Sequence, residues 1–313
     1  MKTILLSLVM LVSFIGDAGT RAIGAATDTA PPTPLSRLTN ISTRAFVETG
    51  DKVVIGGFIV QGSGAKRVII RALGPELTQY GITEALRNPT LDLYNGNGDL
   101  IASNNNWVTT IIGGIITHNQ IRDIMNSGHA PTNALESAII ADLPPGNYTA
   151  IMRGVNETIG VGLIEVYELN EPGTVPSSFL RNISSRSVVD EGDNVMIGGF
   201  IVQGTGPKRV IVRAIGPELT QYGLQDVLPD PTLELHDGRG ALIASNDNWQ
   251  TTVIGGIITQ DQVAEIRGSG HAPTDPSESA IIADLPAGRY TAIVRGKNII
   301  VGVALVEVYD LDP

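Results

Sequence analysis

The sequence contains no cysteine, so disulfides and a lipid-modified cysteine are excluded and stability must come from packing. Aromatic residues make up only 4% of the chain, with two tryptophans, which disfavours a carbohydrate site built on stacking rings. Basic residues are also few. Lys and Arg number 21 against 32 Asp and Glu, a net charge of −11, which argues against binding to nucleic acid or anionic membrane.

The N-terminus has the features of a secretory signal peptide over residues 1–26. Lys2 supplies a positive charge, Ile4–Ile15 is apolar, and Gly24-Ala25-Ala26 offers a small-residue cleavage site. The apolar run is shorter than the roughly 20 residues that span a bilayer. We therefore expect a secreted protein, located outside the cell or at its surface, with the periplasm as the alternative.

The rest of the chain consists of two copies of one sequence unit. Residues 38–169 return after 142 positions as residues 180–311, and 86 of the 132 aligned positions are identical, so the two repeats are predicted at residues 38–169 and 180–313. Residues 27–37 and 170–179 are rich in Pro, Thr and Ser and are predicted to be linkers. The duplication predicts two tandem domains.

Each unit is predicted to be almost entirely β-strand. The first predicted strand is Lys52–Val60, and Asn88–Trp107 has alternating apolar runs around a Gly-punctuated turn, which indicates a hairpin. His118–Asn126 is the only segment with helical periodicity. The other strands are predicted at Lys66–Leu73, Glu136–Leu143, Tyr148–Gly154 and Gly160–Leu169. This pattern predicts an all-β protein of two tandem antiparallel β-sandwich domains, jelly-roll-like in form.

Three segments carry a resemblance to a known family: Leu91–Tyr94, Leu100–Asn104 and the turn Leu143–Tyr148. With these, each unit resembles the bacterial pre-peptidase C-terminal (PPC)-like domain. The whole unit is also similar to a repeat of unassigned activity in secreted proteins of environmental bacteria. The PPC resemblance implies a non-catalytic β-sandwich that accompanies secreted enzymes.

Catalysis has one weak candidate set. His129 lies in the segment SGHAPT, and Glu136-Ser137 follows it; the second copy has His271 and Glu278-Ser279. A Ser, a His and a carboxylate could form a nucleophilic set. The serines, however, open predicted strands and lack the sharp turn that exposes a nucleophile. We therefore predict no catalytic residue and no enzyme activity.

Calcium is the one cofactor candidate, since it prefers clustered carboxylate and carbonyl oxygens. The turn Asn95-x-Asn97-x-Asp99 has an alternating oxygen pattern, but the second copy places Arg239 there. A second cluster gives the candidate ligands Asn104, Asn106, Asp142, Asn246, Asp247, Asn248 and Asp284. Asn and Asp are equally common as plain turn residues, so both interpretations stay open.

The segment Thr109–Thr117, TTIIGGIIT, is apolar and uncharged and recurs as Thr251–Thr259, TTVIGGIIT. It is predicted to form a hairpin around Gly-Gly. Either it packs over its own sandwich or it exposes an apolar patch for docking. The candidate interaction residues are Ile111, Ile112, Ile115, Ile116, Val253, Ile254, Ile257 and Ile258.

Together these features predict a secreted, non-catalytic module for adhesion, self-assembly or partner binding. The expected partners are further copies of the chain, or an extracellular protein or glycan. The alternative is a calcium- or carbohydrate-binding accessory module of a secreted enzyme system.

Overall fold

The computed structural model describes residues 36–170 and 176–312. The predicted signal peptide, residues 27–35 of the first linker, residues 171–175 of the second and residue 313 lie outside the described residues.

The fold is all-β and antiparallel, as predicted. Repeat 1 contains β1 to β8, which are Arg37–Val47, Val54–Gly62, Lys66–Leu73, Pro89–Asn95, Leu100–Asn104, Ser137–Leu143, Gly146–Gly154 and Gly160–Glu168. Repeat 2 contains β9 to β16, which are Ser178–Val189, Met196–Gln203, Lys208–Ile215, Pro231–Asp237, Leu242–Asn246, Ser279–Leu285, Gly288–Gly296 and Gly302–Asp310. The predicted strands of repeat 1 are therefore present, and β1 is an additional strand that the sequence pattern did not indicate.

Each repeat has one short α-helix, α1 at Ile121–Asn126 and α2 at Val263–Gly268. The predicted helix began at His118, but the side chain of Asn119 accepts a hydrogen bond from Ile121 N at 3.0 Å, so the helix starts later. The 3₁₀ turns are Pro75–Tyr80, Val155–Glu157, Pro217–Tyr222 and Lys297–Ile299.

Two sheet layers enclose the core of each repeat. In repeat 1, one layer has the order β5-β4-β7-β2, and the other has the order β6-β3-β8-β1. Apolar side chains from both layers meet in one cluster that runs through both repeats. It includes Phe58 and Leu91 from the first layer and Val68 and Ile139 from the second. Because successive side chains of a strand point to opposite faces of the sheet, each strand directs one set of apolar side chains into this core.

The first strand of each repeat joins the two repeats into one sheet. β1 pairs along one edge with β8 of its own repeat and along the other with β10 of repeat 2. β9 does the reverse, pairing with β16 and with β2 of repeat 1. The continuous strand order is β13-β12-β15-β10-β1-β9-β2-β7-β4-β5. Each repeat thus extends a sheet of the other.

This mutual pairing, in which β1 and β9 each extend a sheet of the other repeat, is called the exchange below. It has a local two-fold symmetry. Thr43 and Ser185 occupy equivalent positions in the two repeats, and the Thr43 hydroxyl donates to Ser185 Oγ at 2.6 Å. Phe46 pairs with its own equivalent, Val188. Thr43 and Ser185 are fully buried, so each hydroxyl depends on the other repeat for its hydrogen bond.

Glycine permits the closest approach between the repeats. Gly62 and Gly204 have φ of 131° and 130°, a region that other residues rarely adopt. A Cβ on Gly62 would lie 2.1 Å from Ser177 O, and one on Gly204 would lie 2.5 Å from Ser36 Cα. These contacts place the start of each exchanged strand against the other repeat.

Replacing both junction glycines should weaken the whole protein. We expect Gly62→Ala with Gly204→Ala to lower the free energy of unfolding by more than about 2 kcal/mol, because steric overlap adds to backbone strain. Chemical denaturation measures this. The matched control is Gly50→Ala with Gly192→Ala, at φ of 65° and 63° with no atom within 4 Å. Equal losses in both pairs would contradict the assigned contact.

Candidate functional site

The strongest candidate surface lies at the two ends of the continuous sheet, where β5 and β13 are the terminal strands. The segment between β5 and α1 carries exposed aliphatic side chains, and so does the equivalent segment of repeat 2. We define end surface 1 as Leu100, Ile111, Ile112 and Ile115, and end surface 2 as Leu242, Val253, Ile254 and Ile257. These side chains are 41–65% exposed.

The Gly-Gly segment folds as a tight turn rather than as the predicted hairpin. Gly113 and Ile116 exchange two backbone hydrogen bonds of 3.0 Å, and this single bridge is the only pairing within the segment. The predicted arms bond to other groups instead, as when Asn104 Nδ2 donates to Thr109 O at 2.9 Å. The hairpin prediction is therefore corrected to a four-residue turn.

The turn is fixed against the edge of β5. Ile115 N donates to Ile101 O at 2.9 Å, and Gly114, at φ of 56°, lies so close that a Cβ would come within 2.1 Å of the same oxygen. Repeat 2 repeats this with Ile257 N and Ile243 O at 2.9 Å. Six of the eight candidate interaction residues are exposed, whereas Ile116 and Ile258 are buried in the core cluster.

Side-chain amides close the neighbouring edge of the second layer. Gln120 Nε2 donates to Ile140 O at 2.6 Å, and its Oε1 accepts from Ile140 N at 3.1 Å. Asn104 Oδ1 accepts from Ala138 N at 3.2 Å. Gln262 and Asn246 make the same bonds in repeat 2. These amides occupy edge groups that could otherwise pair with another strand, so contact at the ends depends on side chains.

Most of the candidate calcium ligands are engaged in other contacts. Asn104 and Asn246 serve as the edge amides. Asp142 pairs with Arg67 at 2.8 Å, Asp284 with Arg209 at 2.5 Å, and Asp247 with Lys297 at 2.7 Å. The side-chain oxygen of Asn106 is buried without a hydrogen-bond partner, and Asn248 follows Asp247 in the loop after β13. Within 36–170 and 176–312, no three His, Asp or Glu side chains form a metal cluster.

The candidate catalytic residues have separate structural partners. Ser137 is buried, and its hydroxyl donates to Pro89 O at 2.7 Å. The His129 ring stacks on Tyr167 with centroids 4.3 Å apart. Glu136 accepts from Gly74 N and Glu76 N, both at 2.7 Å, and so fixes the turn after β3. Nothing in this arrangement joins the Ser137 hydroxyl to the His129 ring.

A buried ion pair lies behind each histidine. Arg213 pairs with Glu307, whose second oxygen accepts from the Tyr309 hydroxyl at 2.6 Å. The pair lines a cleft with Glu218 and Tyr222 whose interior volume is about 10 Å³, enough for about one water molecule. This is far below the roughly 300 Å³ of ordinary ligand pockets, and Arg213 and Glu307 already compensate each other's charge. The cleft is therefore a weaker candidate than the end surfaces.

The tryptophans belong to packed clusters. Trp249 is buried and Trp107 is half-buried, each against the helix side of its sandwich. Each indole Nε1 donates to a backbone oxygen at 3.0 Å, Asn133 O for Trp107 and Asp275 O for Trp249. Neither ring lies open as a sugar platform.

Comparison with known proteins finds only weak structural similarities. No family model and no curated protein matches the chain. Among solved structures, the STIV MCP is 15% identical with a TM-score of 0.20, covering 89% of this chain and 95% of its own. A DUF4785 family protein from Legionella pneumophila is 9% identical with a TM-score of 0.21, covering 94% of this chain and 90% of its own. Both similarities are too weak to support a functional argument.

The helices give no sign of a membrane span. None of those in the described part of the chain has the length and hydropathy needed to cross a bilayer.

The buried turn-fixing glutamates should make stability depend on pH. Burial raises the pKa of Glu136 and of Glu278 from 4.5 to about 7, against the opposing effect of their backbone hydrogen bonds. Between those values the folded carboxyl holds a proton that the unfolded chain has released, so stability falls as pH rises from about 4.5 to 7. Burial lowers the pKa of His129 and His271, which acts in the opposite direction.

A variant comparison isolates the glutamates. Glu136→Gln with Glu278→Gln should be less stable than wild type at pH 5, and this deficit should shrink by about 1–3 kcal/mol per site by pH 8. Denaturant unfolding curves at both pH values measure this difference in the free energy of unfolding. The control is Glu84→Gln, which replaces an exposed glutamate. A deficit that grows with pH would show that the carboxylates are ionised and stabilised by the amides.

Proposed function

We propose that this protein is a secreted, non-catalytic module that assembles with further copies of itself, or with a protein partner, through its two end surfaces. The supporting observation is that both repeats expose equivalent aliphatic side chains, one set at each end of the same sheet. Exposed apolar clusters of this kind mark interaction sites on soluble proteins. Because the two surfaces terminate the same sheet, contact between them would propagate from molecule to molecule as a linear assembly.

The chemistry of the end surfaces favours burial against another apolar surface. Both contain only aliphatic side chains, located on the edge strand and on the segment that follows it. A backbone hydrogen bond of 2.9 Å joins each turn to its edge strand, and a surface held in this way loses little conformational freedom when it binds. The duplication preserves aliphatic character at all four positions, since Ile111 is replaced only by Val253.

The alternative of a calcium- or carbohydrate-binding accessory module has no comparable observation in its favour. The acidic candidates Asp142, Asp247 and Asp284 are in ion pairs, and both indoles are packed into clusters. Secretion itself follows from the predicted signal peptide and remains part of the proposal.

Charges at the centre of each surface should abolish assembly. We expect wild-type protein without its signal peptide to show concentration-dependent association in sedimentation velocity, and Ile112→Lys with Ile254→Lys to remain monomeric. The melting temperature should change little, because substitutions of exposed side chains usually cost under about 0.5 kcal/mol.

The matched control is Met125→Lys. Met125 is exposed, and Arg267 occupies the equivalent position in repeat 2, so a basic residue is tolerated there. Self-assembly through the end surfaces is contradicted if wild type stays monomeric, if the double lysine variant associates like wild type, or if the control also loses association.

A further inference from the structure

In each repeat, one strand edge accepts the first strand of the other repeat. Nothing in the sequence of this edge restricts it to a strand from the same chain. The edge of β2 that receives β9 and the edge of β10 that receives β1 lie in segments 54–62 and 196–204. These segments are identical except that Val54 is replaced by Met196. The incoming strands share the pattern Leu-x-Asn-Ile-Ser-x-Arg, beginning at Leu38 and at Leu180.

Most contacts of the junction involve the exchanged strands or the residues next to them. Ser178 Oγ accepts from Gly64 N at 3.0 Å, and Ser36 Oγ accepts from Gly206 N at 3.1 Å. With the Thr43–Ser185 bond and the two strand ladders, these contacts join repeat 1 to repeat 2. A repeat 2 from another chain could supply every one of them in the same register.

We propose that a second copy of this chain binds through this same junction. Repeat 1 of each chain would pair with repeat 2 of the other, which gives a closed dimer with two junctions. Residues 169–177, between β8 and β9, are the only covalent connection between the repeats. They determine whether a junction closes within one chain or between two chains.

Mass action sets when the dimer forms. A short linker gives the two repeats of one chain a mutual concentration on the order of millimolar. The monomer is therefore expected when the chain folds at micromolar concentration, and the dimer as the concentration approaches millimolar. Both ladders must break for exchange, so the two forms interconvert slowly once folded.

This dimer is independent of the assembly described under Proposed function. It uses β1, β2, β9 and β10 at the centre of the sheet, whereas the end surfaces lie beside β5 and β13. Each proposal can therefore fail while the other stands.

Cysteine cross-linking distinguishes the two junctions. Thr43→Cys with Ser185→Cys places two thiols where the hydroxyls are 2.6 Å apart, in a chain with no other cysteine. The variant is unfolded, refolded at about 1 µM, far below the expected effective concentration, and at about 0.5 mM, close to it, and then oxidised. Non-reducing electrophoresis should show an intramolecularly linked monomer at low concentration and a covalent dimer at high concentration.

The single variant Thr43→Cys is the control. In the exchanged dimer Thr43 of one chain faces Ser185 of the other, so this variant should give no covalent dimer. A monomer at both concentrations for the double variant, or equal cross-linking by the single variant, would overturn the proposal.

Two proteins without cysteine test the same dimer independently of the cross-link. Wild-type protein refolded at about 0.5 mM should give a dimer by light scattering that persists after dilution. The Ile112→Lys and Ile254→Lys variant should give the same dimer. A wild-type monomer would overturn the proposal, and so would loss of the dimer in the lysine variant.

Discussion

The hydrogen-bond ladders on both edges of β1 and β9 are the constraint on which the rest of the structure depends. Several polar side chains of these two central strands are buried, so they must find partners in the interior. Thr43 and Ser185 meet this need through each other. Arg186 is buried as well, and its guanidinium donates to Asp51 O of the other repeat at 3.1 Å. Burial lowers the pKa of Arg186 to about 10, a cost that the folded junction must offset.

Exchange at the centre leaves the free sheet edges at the far ends. A free sheet edge is open to pairing with other strands. Here Gln120 and Asn104 bond to the edge of one layer, and the turn at Gly114 lies on the edge of the other. Ile112, next to this turn, is exposed. Protection of the backbone and exposure of apolar side chains therefore come from one segment.

The sequence predicted the strands whose side chains alternate clearly, such as Lys66–Leu73, and the duplication that relates the repeats. It did not indicate β1, because Asn40, Ser42, Thr43 and Arg44 make that segment look like a polar loop. Asn40 and Thr43 are nevertheless buried, and the hydrogen-bond partner of Thr43 lies in the other repeat, where a local sequence pattern cannot show it. The Gly-Gly segment was recognised as a candidate surface, but its hairpin was not correct, since Ile101 O competes for Ile115 N. A signal for the exchange existed in Gly62 and Gly204, glycines at strand ends that permit close backbone approach.

Cutting the linker tests the exchanged sheet most directly. A specific protease site is introduced within residues 171–175, the protein is cut there after folding, and the products are examined by gel filtration, light scattering and thermal unfolding. The exchanged sheet predicts that the two repeats stay together as a one-to-one complex and unfold in a single transition. Separation into two folded repeats with independent transitions would contradict it.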